Sequence, residues 1–351
     1  MAVDADAQRA GGLRLSIIIS CFNYQAFVGR AIDSVVSQMG PDCELIVVDD
    51  GSTDESWPVI EAYRLPKAFR VANGGALAAC RQAFARAEAP FVLFLDADDA
   101  LVPGGLARIL PHLRPGLAKL QFPLIPIDAD GQVLGAASPA LRQGEAGARL
   151  RREVLATGCY NSPPTSGNVF CRALCEILAE VDYETWVDGV IVFAAPFFGT
   201  VVSLAEPLGY YRLHGRNGSQ SGSRPDAARF GREAERFLRR HEHLRRILAA
   251  RNEGGALVEG ASAFFPRERR LYQTVLEGRA PRLRHVLALQ RLLVGMARPL
   301  PHKLSMSVLF WLVLVLPRPR RDALLAYRLQ PGHRSAWGGL RQVLRPDPAA
   351  A

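Results

Sequence analysis

The stretch Glu44-Leu-Ile-Val-Val-Asp-Asp-Gly-Ser-Thr-Asp54 decides the fold. Its first half is a short apolar, β-branched run, which reads as a strand buried on both faces. Its second half, rich in acids, hydroxyls and a glycine, reads as the loop leaving that strand's carboxyl end. Upstream, Leu15-Ser-Ile-Ile-Ile19 repeats the strand pattern and delivers Phe22 and Asn23. Between the two runs, residues 26–38 set Phe27, Ala31, Ile32, Val35 and Val36 at helical spacing, and Gly40-Pro41 stops that helix. Downstream, residues 54–63 resume helical spacing through Trp57, Ile60 and Tyr63, and Asn73-Gly-Gly75 opens a third helix to about Ala87. Phe91-Val-Leu-Phe-Leu95 is a third buried strand, followed at once by Asp96-Ala-Asp98-Asp99. Strands alternating with helices over short links predict an α/β fold with a mostly parallel central sheet.

Ligands bind such sheets at the carboxyl ends of their strands. Strand one brings Phe22 and Asn23 there, strand two Asp49 and Asp50, and strand three Asp96 and Asp98. Carboxylates gathered on one edge repel one another unless a cation or a donor-rich ligand joins them. Oxygen donors of this kind suit Mg²⁺ or Mn²⁺ carrying substrate phosphates, so the pattern implies a phosphate ester held through metal. No single piece is decisive. A second triplet, Asp128-Ala-Asp130 before Gly131, sits between Leu124-Ile-Pro-Ile127 and Gln132-Val-Leu134 and reads as a hairpin turn. Ser52 or Thr53 suits helix capping, and a glycine pair at a helix start is common. The order of the pieces carries the reading, because each follows a strand or opens a helix.

Residues 14 to about 215 resemble a family 2 glycosyltransferase of the GT-A fold. The resemblance rests on Ser16-Ile-Ile-Ile-Ser-Cys-Phe-Asn-Tyr24, the 44–54 stretch, Asn73-Gly-Gly75, Phe94-Leu-Asp-Ala-Asp-Asp99, Trp186-Val-Asp-Gly189 and Tyr210-Tyr-Arg-Leu-His214. It implies that Phe22, Asn23, Asp49, Asp50, Asn73, Gly74, Asp96 and Asp98 hold a nucleotide-sugar, with uridine diphosphate as its carrier. It further implies that Asp98 and His214 hold Mn²⁺ or Mg²⁺, and that Asp188 is the general base of an inverting reaction. Val187 stands where the family usually carries an acid before that base, and Glu184 and Asp182 are the neighbouring carboxylates. Phe22 replaces a commoner tyrosine, and Arg81 stands where an asparagine is frequent. The acceptor implied is a glycan or lipid-linked sugar of cell-surface polysaccharide synthesis. The alternative is a non-catalytic scaffold or binding subunit of the same fold, which has no need of four exposed acids. A nucleotidyltransferase is disfavoured, because no Gly-rich, basic triphosphate loop follows strand one.

The 351 residues are 49% hydrophobic and 22% charged, which excludes whole-chain disorder and a collagen-like chain. Six scattered cysteines without metal-type pairing read as small buried residues of a reducing compartment. The first twelve residues carry Asp4 and Asp6 and no apolar core, so they do not read as a signal peptide. The net charge of +9 is unevenly spread. From residue 216 onward, 26 Lys and Arg face 10 Asp and Glu, whereas the preceding part carries 17 against 24. The expected organisation is a flexible stretch at 1–13, a catalytic domain at 14–215 and a basic helical extension at 216–351.

Within the extension, residues 226–252 place Phe230, Ala234, Phe237, Leu238, Leu244, Ile247 and Leu248 on a helical stripe among arginines. Another helix is expected over 282–298. The apolar run 304–316 is flanked by Lys303, Arg318, Arg320 and Arg321. As a helix it spans about 20 Å, short of the roughly 30 Å of a bilayer's hydrocarbon core. It therefore reads either as a buried helix or as an interfacial segment on an anionic membrane. The flanking charge and Trp311 favour the membrane surface. A cytoplasmic protein, peripheral on the inner face of the cell membrane, is expected. No helix-turn-helix, zinc-finger or RNP-like pattern accompanies the basic charge, so nucleic acid is not an expected partner.

Overall fold

The computed structural model describes residues 12–184, 186–214, 226–253, 257–296 and 298–329. Most of the expected flexible start, and the expected boundary at 215–216, lie outside them. The chain divides into two compact units, one of residues 1–219 with 244–256, the other of 220–243 with 257–351.

In the first unit, β1 (Leu15–Cys21), α1 (Val28–Val36), β2 (Cys43–Asp49), α2 (Ser56–Ala62), β3 (Ala68–Arg70), α3 (Ala76–Phe84) and β4 (Phe91–Asp96) alternate. β5 (Ala100–Leu101), α4 (Gly105–Ile109), β6 (Leu117–Gln121), β7 (Leu124–Ile127), β8 (Gly144–Glu145) and α5 (Gly147–Thr157) follow. The unit continues through β9 (Asn168–Cys171), α6 (Arg172–Cys175), α7 (Val190–Ala194), β10 (Thr200–Ser203) and β11 (Gly209–Arg212). Eight strands form one sheet in the order β3-β2-β1-β4-β9-β6-β10-β8, and β5-β11-β7 form a second. β3, β2, β1 and β4 run parallel, as do β6 and β10.

The central strands are apolar because helices cover them. β2 is buried throughout, and the buried face of α1 uses Val28, Ala31, Ile32 and Val35, a spacing that repeats on one side of a 3.6-residue helix. This is the α/β architecture with a mostly parallel central sheet that the alternation predicts.

Two details differ from expectation. β3 is a three-residue, partly exposed edge strand with no apolar run to announce it. The stretch 169–181, whose apolar spacing by itself also suits a helix, is instead β9, a single short helical turn and a 3₁₀ segment, Glu176–Glu180. Val169 and Phe170 are fully buried in antiparallel pairing between β4 and β6. A short apolar run cannot by its periodicity choose between strand and helix, and here the open edges of two neighbouring strands decide it.

The second unit is helical, with α8 (Ala227–Ala250) reaching into it and α9 (Phe264–Leu276), α10 (Leu283–Gly295), α11 (Leu300–Val315) and α12 (Arg318–Leu329) within it. Its core gathers Phe230, Leu271, Tyr272, Val275, Val286, Leu289, Phe310 and Leu325. α11 is two-faced. Met306, Leu309, Phe310 and Val313 are buried, while Leu304, Val308, Trp311 and Val315 are exposed. At 16 residues it is about 24 Å long, and no described helix is long and apolar enough to cross a membrane.

Candidate active site

Parallel register sets the site. Cys21 lies opposite Asp49 and Ser20 opposite Asp96, so the loops after β1, β2 and β4 leave one edge of the sheet. At that edge Phe22 is 42% exposed. Asn23 adopts a left-handed backbone with φ 59°. Its Oδ1 accepts the Thr53 N–H at 2.8 Å, and its own N–H donates to Ser52 Oγ at 2.9 Å. Asn23 thus ties the first loop to the second.

The two acids after β2 are engaged differently. Asp49 is fully buried and its Oδ2 pairs with Arg70 at 3.0 Å and accepts the Ser52 N–H at 3.1 Å. Its Oδ1 is buried without a hydrogen-bond partner among the described residues. Asp50, also buried, accepts the N–H of Gly74 on Oδ1 and that of Gly75 on Oδ2, each at 2.8 Å. It holds the turn that starts α3, where Gly75 has φ 87°. Gly74 and Asn73 are exposed beside it. Close approach also fixes Gly51, since a Cβ there would lie 2.7 Å from the Asn73 nitrogen.

After β4, Asp96, Asp98 and Asp99 bring carboxylate oxygens within 4.8 Å of one another. Their frame comes from other elements. Ser166 Oγ accepts the Asp96 N–H at 3.1 Å and donates to Asp99 Oδ2 at 2.6 Å. The Arg212 N–H on β11 donates to Asp99 Oδ1 at 2.9 Å, and its Nε donates to the Asp98 carbonyl at 2.8 Å. Burial, then the Asp98 charge, pushes the Asp99 carboxyl up to about 8 against the pull of Ser166 and Arg212. Burial, then the charges of Asp99, Asp98 and Asp188, raises Asp96 well above the ordinary carboxylate range. Three crowded carboxylates form a hard-oxygen donor set that fits a divalent cation.

His214 Nε2 lies 3.0 Å from Asp98 Oδ2, and its ring packs against Phe27 and Tyr24 at centroid distances of 4.8 and 5.7 Å. Asp188 is half-buried just before α7, and its charge acts on both Asp96 and Lys119. Glu184 is buried and Asp182 exposed. Arg81 donates to the carbonyls of Leu178 and Val181, bracing the segment before these acids. A narrow cavity of about 10 Å³, the size of one water, adjoins Asp96 between Ser20, Cys80, Thr165 and Trp186.

Sequence reasoning missed several framing groups. Asp99 carries no separate assignment within the acidic motif, and Ser166 lies in a short polar stretch after Pro163-Pro164. Lys119, on β6, is fully buried and donates to Gln121, Tyr160 and Ser162 at 2.9, 3.0 and 2.8 Å. Burial holds its amine well below the ordinary lysine range, with Asp188 pulling the other way. The second Asp-x-Asp is the turn expected: Gly131 donates to Asp128, and Asp128 pairs with Gln132 across it. All six cysteines are free.

A mostly parallel sheet whose acidic loops converge at one edge, with a second small sheet supplying Arg212 and His214 beside them, is the GT-A type of fold. Comparison with known proteins agrees. The profile of Glycosyl transferase family 2 matches residues 16–134. An uncharacterized glycosyltransferase of Nostoc sp., alr2836, is 35% identical over 226 residues, 60% of this chain and 68% of that protein. The Campylobacter jejuni GalNAc(5)-diNAcBac-PP-undecaprenol beta-1,3-glucosyltransferase is 31% identical over 114 residues, 30% of this chain and 36% of that one. The crystal structure of S. aureus TarS 1-349 in complex with UDP-GlcNAc superposes with a TM-score of 0.51 at 16% identity, covering 94% of this chain and 89% of TarS. The chain belongs to glycosyltransferase family 2, and it is a transferase.

Proposed function

We propose that this enzyme is an inverting, divalent-cation-dependent transferase that moves a sugar from a UDP-sugar to a glycan or lipid-linked acceptor of polysaccharide synthesis. The observation that carries the reading is the gathering of Asp96, Asp98 and Asp99 within 4.8 Å, with the Asp188 charge acting on Asp96. The relatives support the substrate class. One is named for a glucosyltransferase acting on an undecaprenol-linked glycan, and the TarS neighbour was solved with UDP-GlcNAc.

In this reading Phe22, Asn23, Asn73 and Gly74 flank the nucleoside, and the Oδ1 of Asp49, which has no partner among the described residues, is left to accept from a base N–H. Asp50 acts at one remove, by fixing the Gly74–Gly75 backbone. Asp99 spends both oxygens on the frame, so the ligand role belongs to Asp96 and Asp98, with His214 set against Asp98. Mn²⁺ or Mg²⁺ held there supplies Lewis-acid neutralisation of the charge that develops on the diphosphate leaving group. Asp188 accepts the acceptor hydroxyl's proton as that oxygen bonds to the anomeric carbon. The electron pair of the breaking carbon–oxygen bond leaves with the diphosphate. Attack opposite the leaving group inverts the anomeric centre. The exposed face of α11 and its arginine flank suit peripheral contact with an anionic membrane at the cytoplasmic surface.

The test is donor hydrolysis and transfer across a panel of nucleotide-sugars with and without Mn²⁺. A UDP-sugar is expected to be preferred, with activity lost on chelation. Asp188→Asn is expected to lower kcat by about 10²–10⁴ while donor affinity stays. Preference for a guanosine or cytidine donor overturns the uridine assignment, and unchanged turnover in Asp188→Asn overturns the base.

A further inference from the structure

The second unit holds a cavity of about 390 Å³ bordered by α9, the link after it and the first turn of α10. We propose that this pocket binds a phosphate ester, at a site separate from the transfer reaction.

Its lining is cationic by construction. Arg267, Arg270, Leu271 and Thr274 fall on one face of α9 at spacings of three, four and seven. Gly278, with φ +74°, reverses the chain and carries Arg279 and Pro281 to the same cavity, where His285 on α10 completes it. No carboxylate is among the lining residues. Of the carboxylates nearest in sequence, Glu268 accepts from Tyr272 and pairs with Arg269, and Glu277 accepts from Arg279 and Gln273. Arg267 is oriented in advance, because its guanidinium donates to the Ala261 carbonyl at 3.2 Å and to Ser262 Oγ at 3.4 Å. The 13-residue α10 turns its amino end to the pocket, and its N-cap, Arg282, provides no side-chain cap. The positive pole of a helix favours an anion.

The local field agrees: burial, then Arg284, Arg282 and Arg267, holds His285 below its ordinary value. Planar guanidiniums that can grip two oxygens at once select phosphate over a simple halide. Buried Leu271 and Pro281 give the pocket an apolar lining, which suits an organic phosphate better than the bare ion.

The same chemistry occurs in a lipid headgroup and in a soluble phosphate, and the experiment separates them. The full-length protein, kept in chelator to silence cation-assisted binding at the acidic site, is titrated with inorganic pyrophosphate and, separately, with phosphatidylglycerol vesicles against phosphatidylcholine vesicles. The His285 imidazole resonances report occupancy of this pocket. Binding of pyrophosphate or of the anionic vesicles with a shift at His285 is expected, weakened at least about tenfold in Arg270→Gln. A response to vesicles alone assigns a headgroup, and a response to pyrophosphate assigns a soluble phosphate. Arg267 also braces Ala261 and Ser262, so Arg270→Gln, read at His285, and His285→Gln, read by calorimetric titration, both at exposed positions, are the variants of choice. The proposal fails if neither probe moves His285, or if both variants bind as tightly as the parent.

Discussion

Asp50→Asn separates a brace from a ligand. In the parent, both carboxylate oxygens of this buried side chain accept a main-chain N–H at 2.8 Å, one from Gly74 and one from Gly75. An asparagine offers one acceptor oxygen, and its NH₂ meets the other N–H donor to donor. One charge-assisted bond, worth about 1.5–3 kcal/mol, is lost, and the N–H left behind faces a second donor. The expected destabilisation is about 3 kcal/mol. For a folding unit of this size that lowers the thermal midpoint by about 6–12 °C. Differential scanning calorimetry of the metal-free protein measures it, with Asn73→Ala, an exposed neighbour, as the control that leaves the midpoint in place. UDP binding is expected to weaken in step with the loosened turn. A parental midpoint combined with lost UDP binding refutes the reasoning and makes Asp50 a direct contact of the nucleotide.

Asp99, with its folded-state pKa near 8 against an ordinary value of 3.8, makes the native state the tighter proton binder. Its contribution to stability is therefore full at the acid end and is lost as pH rises from about 4 to 8; thermal melts should show this slope shrinking on addition of Mn²⁺ and flattening in Asp99→Asn. Gly51→Ala places a Cβ 2.7 Å from the Asn73 nitrogen at φ +71°, so chemical denaturation should report a loss of at least about 2 kcal/mol. On α11, Phe310→Ala empties a fully buried core position and should cost about 3–5 kcal/mol. Trp311→Ser, one residue on but exposed, should stay within about 1 kcal/mol while weakening vesicle binding.

The strands that carry the site were legible because burial on both faces forces an unbroken apolar run, as in Ile17–Ile19 and Ile46–Val48, and because acids directly follow the second and third such runs. The convergence of Asp49, Asp96 and Asp98 follows from that order alone. What each acid touches does not. Asp50 and Asp99 are written like their neighbours, yet one holds a glycine turn and the other a serine and a distant strand, since partners such as Arg212 come from more than a hundred positions away. Lys119 was invisible for a related reason: a lysine inside Leu117-Ala-Lys-Leu-Gln121 reads as solvent-facing until Tyr160 and Ser162 close over it. β9 illustrates the same limit for backbone, because its identity as a strand is settled by the neighbours it pairs with.

Asp50 and Asp99 are both gripped through peptide nitrogens, at Gly74, Gly75 and residue 212. Nineteen of the twenty amino acids bring such a nitrogen, and proline alone lacks its hydrogen. Side chains at the gripping positions can thus be exchanged over evolutionary time, within the limits of backbone shape, without releasing the acids they hold. A chain built this way can lose most of its recognisable spelling and keep its charge geometry, and proline is the one replacement at position 212 that must undo it.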